Sequence, residues 1–139
     1  MNKISILFPM VALATLTFAV LLLIPFRRFR AGYAGQIGVD DFKYGESARV
    51  PPEVSIPNRN MMNLLELPVL FYVACLVYFV TERVDDRALA LAWTYVGLRI
   101  AHSAIHLTYN RVRDRLLVYA ASNVVLVTLW TYMLRAISA

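Results

Sequence analysis

Residues 58–70 read NRNMMNLLELPVL. Arg59, Asn63 and Glu66 lie four and then three positions apart, the spacing that keeps side chains on one face of a helix. From Met61 to Val80 the chain is otherwise apolar and about long enough to cross ~30 Å of hydrocarbon. A carboxylate and an amide stand where lipid-facing side chains belong. That combination predicts a membrane helix with a polar side turned towards protein.

The rest of the chain fits this reading. It has 139 residues and is 60% hydrophobic, whereas soluble domains are usually about 45–50% apolar. Four segments carry the excess: Ile4–Phe26, Met61–Val80, Ala88–Leu107 and Leu116–Leu134. Each is near the ~20 residues a spanning helix needs. The expected fold is all-α: an integral membrane four-helix bundle forming a single domain over 1–139, with one long loop at 27–60. The first segment is too long for a signal peptide, and it ends in PFRRFR rather than in a small-residue cleavage site, so it reads as an uncleaved helix.

The net charge of +5 is no nucleic-acid footprint, because the basic residues gather at the membrane borders. Arg27, Arg28, Arg30, Lys43, Arg49 and Arg59 precede the second segment, and Arg111, Arg113 and Arg115 separate the third from the fourth. Arg83 and Arg87 in the second connection are offset by Glu82, Asp85 and Asp86. The positive-inside rule then puts the first and third loops in the cytoplasm and both termini outside it; in a bacterium this is the inner membrane. The single cysteine, Cys75, lies mid-helix among apolar residues and reads as an inert packing residue. The glycines of 27–60 form no phosphate loop, because no strand precedes them and no GK[ST] follows.

The third segment has a polar stripe of its own: Arg99, His102, His106, Tyr109 and Arg113, spaced by three or four. An ionised side chain facing lipid costs about 2.5–3.5 kcal/mol on insertion scales. Arg99 and Glu66 are therefore expected to face protein or a wet cavity, each other being one option. The surplus of cationic and donor groups suits a ligand with carboxylates. His102 and His106 have the spacing of a metal pair, with Glu66 as a conceivable third ligand. The nearby Arg99 would repel a cation, and no metal is expected. Pro68 predicts a kink just after Glu66.

These residues resemble the MAPEG family, the membrane-associated proteins of eicosanoid and glutathione metabolism, in a prokaryotic-type form. The resemblance rests on Arg59-x3-Asn63-x2-Glu66-x-Pro68, on Arg99-x2-His102 and on Arg115-x3-Tyr119. It implies a homotrimer that binds glutathione as cosubstrate between subunits and acts on lipophilic electrophiles as a transferase or peroxidase. Arg59, Asn63, Glu66 and Arg99 would hold the tripeptide with His102, His106 and Tyr109, and Arg115, with Arg113 as second choice, would poise the thiolate. Basic residues among Arg27, Arg28 and Arg30 would assist. The chain departs from the family pattern at His106, where tyrosine is common seven residues after the arginine. The alternative reading is a non-catalytic MAPEG-like membrane protein that binds a lipid or a partner.

Overall fold

A computed structural model describes residues 2–138. Five α-helices and two short 3-10 turns make up the regular structure: α1 Leu7–Tyr33, α2 Pro52–Leu65, α3 Pro68–Thr81, α4 Asp86–Leu107 and α5 Val112–Ser138, with turns at Lys3–Ile6 and Val39–Phe42. α2 and α3 follow one another closely enough to act as one interrupted span. Together they give four helical units long and apolar enough to cross a membrane: Lys3–Tyr33, Pro52–Thr81, Asp86–Leu107 and Val112–Ser138.

The helices run beyond the apolar segments that announce them. α1 continues through RRFRAGY to Tyr33, and α2 begins at Pro52, so much of the stretch 27–60 expected as loop is helical. Arginine and alanine are good helix formers whether or not lipid surrounds them, so hydropathy marks the hydrocarbon boundary and not the helix end. α1 stops where Gly35 takes a left-handed φ of +70°, and Gln36 N–H closes on the Ala31 carbonyl at 3.0 Å. Such a left-handed residue after the last turn satisfies helix-end carbonyls at no steric cost in glycine.

The second span is broken rather than merely kinked. Glu66 leaves the helical region at φ −83°, ψ −105°, and Pro68 opens α3 as its first residue. Proline has no N–H to give the preceding turn, and its ring crowds the carbonyl four residues back. At the first helical position neither defect matters.

Ile6, Leu13 and Val20 from the N-terminal unit meet Phe71, Ala74, Cys75 and Tyr78 of α3, Ala88, Ala92 and Tyr95 of α4, and Leu126, Leu129 and Met133 of α5 in one core. The Phe71 and Tyr95 rings stack at 4.7 Å. The small residues among these let the backbones approach, which is what favours helix association inside a bilayer. Cys75 is buried here, as its surroundings predict. α4 packs most extensively on α5, and α1 on α2.

The connection between α1 and α2 is built, not loose. Asp41 accepts the Gly38 N–H at 2.8 Å and the Ser47 hydroxyl at 2.7 Å. Arg28 lies over the Phe42 ring at 4.4 Å and pairs with Glu46 at 3.1 Å. Ala31, Val50 and Val54 form a small second core with Ile37 and Phe42. These contacts tie the connection to the α1 and α2 ends beside Arg59.

Candidate functional site

α2, α4 and α5 enclose a cavity of about 310 Å³ at the bundle end carrying the 108–111 turn. Arg59 and Asn63 line it from α2, His102 and His106 from α4, and Arg115 and Tyr119 from α5, with Val112 and Leu116 as the apolar part of its wall. Each pair is one turn apart on its helix, so each helix presents one edge of a continuous polar surface. No carboxylate is among these residues. The two guanidiniums give the cavity a positive field, which favours an anionic ligand.

The α4 residues are the most enclosed. His102 is 2% and His106 3% exposed, and neither Nδ1 has a hydrogen-bond partner. Their rings lie 5.7 Å apart, and the His102 ring lies 5.7 Å from that of Tyr119. At the cavity mouth Asn110 takes a left-handed φ of 48° and accepts a hydrogen bond from the Arg115 guanidinium at 2.6 Å. Asparagine tolerates that backbone better than most residues, and here the conformation delivers its carbonyl to the arginine. Asn63 donates back to the Arg59 carbonyl at 2.9 Å, one turn earlier.

Arg99 sits behind this surface and not in it. It is fully buried; it donates to the Tyr95 hydroxyl at 3.1 Å and to Asn123 Oδ1 at 3.0 Å, and its charge lies 5.1 Å from the centre of the Tyr119 ring. Arg99 and Glu66 do not meet within the chain. Glu66 falls on the exposed side of the α2–α3 break, because leaving the helix there turns it off the Arg59–Asn63 face. Tyr109 and Arg113 are also exposed and do not line the cavity. α4 ends at Leu107 and α5 starts anew at Val112, so the stripe that seemed continuous from Arg99 to Arg113 is cut by a turn. Of the three basic candidates after the first apolar segment, Arg27 donates to the Glu53 carbonyl at 2.8 Å, Arg28 pairs with Glu46, and Arg30 is exposed.

Sequence reasoning did not assign Tyr119, Asn60, Ser103, Asn110 or Asn123. Tyr119 was available from its four-residue spacing to Arg115. Asn60 is fully buried and accepts from the Ser103 hydroxyl at 3.3 Å, which ties α2 to α4. Its signal was weak, since an asparagine beside Arg59 reads as the helix's wet side. Among the described residues no group of three or more histidine, cysteine or acidic side chains could hold a metal ion. Arg59 also borders a second concavity of about 380 Å³ under residues 46–50, so the built connection walls the approach to the site.

No curated protein and no solved structure gives a match. The family model described as MAPEG family matches residues 6–135, nearly the whole chain. The four membrane-capable helical units, the polar cavity between them and this match agree: the chain is a member of the MAPEG family.

Proposed function

We propose that the protein is a membrane-bound glutathione-dependent transferase or peroxidase acting on lipophilic electrophiles. The observation that carries this reading is the lining of the 310 Å³ cavity: two guanidiniums, an amide, two imidazoles and a phenol, with no acid. Glutathione brings two carboxylates and a thiol, and the unpartnered Nδ1 atoms of His102 and His106 match the polar groups such a ligand carries. Arg59 and Asn63 hold its carboxylates in this reading. Arg115, kept in place by Asn110, stabilises the thiolate. Arg99 supports the site from behind Tyr119. Glutathione supplies the nucleophilic sulfur, and the apolar acceptor reaches it from the bilayer.

The protomer cavity has no carboxylate for the ligand's ammonium group, and Glu66 is left exposed within a membrane span. A carboxylate turned to hydrocarbon is costly. Both points support a homotrimer in which Glu66 meets a neighbouring subunit, beside or across the ligand. Arg113 and Tyr109, outside the cavity, take no direct part in this arrangement. By charge bias the site opens towards the cytoplasm, with the termini outside, in the inner membrane if the cell is bacterial. The test is turnover of glutathione with an activated aryl halide and with a lipid hydroperoxide, on protein in lipid nanodiscs. Saturable rates that Arg115→Ala lowers at pH 7 support the reading. Rates equal to those of empty nanodiscs would leave a binding or structural role for the family architecture.

A further inference from the structure

The cavity lining contains few groups able to accept a proton. The guanidiniums of Arg59 and Arg115 offer donors and no acceptor, and the Asn63 amide is no base. The Tyr119 phenol carries an O–H that donates. Among the lining side chains only the imidazoles of His102 and His106 carry a nitrogen lone pair able to take a proton from a ligand. His106 is one turn nearer the mouth, at the end of α4, on the side where Arg115 is anchored to Asn110. His102 lies deeper, with its ring against Tyr119 and on the Arg99 side.

We propose that His106 is the general base of the cavity, taking the proton of the bound thiol. The proposal rests on the glutathione-dependent reading above. The S–H bond breaks, its electron pair stays on sulfur beside Arg115, and the proton passes to the unprotonated nitrogen of His106. When the sulfur then bonds to an electrophilic carbon, the displaced leaving group departs with the electron pair of the broken bond and collects the proton from the imidazolium. Atoms and charge balance within the site, and no further reactant is required.

The electrostatics tie this transfer to ligand occupancy. Facing His106 are Arg59 and Asn63 from α2, Arg115 and Tyr119 from α5, and His102 on its own helix. In the ligand-free cavity the two guanidiniums oppose an imidazolium. Two arriving carboxylates offset both guanidiniums, and the thiolate formed by the transfer faces the imidazolium directly. The burial of His106, at 3% exposed, keeps bulk water from competing for the proton.

A proton inventory tests the assignment. Thiolate formed on adding glutathione is read by ultraviolet absorbance, and protons released are read by calorimetry in buffers of different ionisation enthalpy. In the wild-type protein thiolate forms at pH 7 with almost no proton release, whereas His106→Phe and His106→Tyr release about one proton per thiolate, as linkage requires when no internal acceptor remains. His102→Phe weakens glutathione binding but, once the site is filled, keeps the wild-type ratio of protons released to thiolate formed. Release of about one proton per thiolate from the wild-type protein overturns the proposal without touching the function reading, and this result needs no variant. Transfer of the effect to His102→Phe overturns the assignment to His106. Absence of glutathione binding by the wild-type protein defeats the function reading and this proposal together.

Discussion

Replacing Arg115 with alanine removes one of two guanidiniums from a cavity that has no acid to rebalance. Opposite charges about 4 Å apart interact by about 4 kcal/mol at an effective dielectric of about 20. Arg115 is only partly buried and already donates to Asn110, so water and that bond reduce its pull on a thiolate. About 2 kcal/mol remains a reasonable share, equivalent to about 1.5 pKa units. A free thiol near 8.5 is then held near 7 in the wild-type site and returns towards 8.5 in the variant, so the thiolate fraction at pH 7 falls from about half to about 3%. Turnover at saturating glutathione should fall about 15-fold at pH 7 and recover as pH rises to 9. Affinity should change less, by under tenfold or about 1.4 kcal/mol, because Arg59 and Asn63 remain. Thiolate absorbance against pH, with single-turnover rates, measures both. An unchanged thiol titration, or a rate loss that glutathione affinity alone explains, would refute the role given to Arg115.

Other outcomes follow from the same geometry. Reporter fusions at the C-terminus and at Gly45 should lie on opposite sides of the membrane; finding both on one side would contradict the count of four spans. Glu66→Gln should weaken glutathione binding and trimer stability together, read by calorimetry and by native mass spectrometry, and an unaffected trimer with unaffected binding would remove Glu66 from the interface. Ser103→Ala leaves the buried Asn60 oxygen without its partner and should cost about 1–3 kcal/mol in thermal unfolding, while pairing it with Asn60→Leu should restore most of that loss. The Gly38 N–H, the Ser47 hydroxyl and the Arg49 charge hold the Asp41 carboxyl below its ordinary range, against the opposing effect of burial. A depressed carboxylate stabilises the fold above its unfolded pKa of about 4, and the effect is lost as pH falls through the lower folded value. Limited proteolysis of residues 34–51 should therefore accelerate only in strong acid, and Asp41→Asn should accelerate it already at pH 7.

The sequence carried the spans because twenty-residue apolar runs have few other uses, and it carried Arg59, Asn63, His102, His106 and Arg115 because helical spacing survives into the fold. Helix ends were poorly legible, since the residues from Arg27 to Tyr33 satisfy helix propensity after hydropathy has ended. Glu66 was misplaced by extending the α2 periodicity through Pro68, which the backbone does not do. Tyr109 and Arg113 were misplaced by the same extension across the α4–α5 turn. Arg99 was rightly expected to be in protein, but its partners, Tyr95 and Asn123, are neutral and so gave no charge pattern to read. The Asn60–Ser103 link joins residues 43 positions apart, and nothing local announces it.

The central claim is that this cavity binds glutathione and ionises its thiol. The most direct measurement is a glutathione titration of the purified protein in lipid nanodiscs, followed by thiolate absorbance across pH 5 to 9. Saturable binding at or below millimolar concentration is expected, with a bound thiol ionising well below the free value of about 8.5. No binding at millimolar glutathione, or a bound thiol that titrates like the free one, would contradict it.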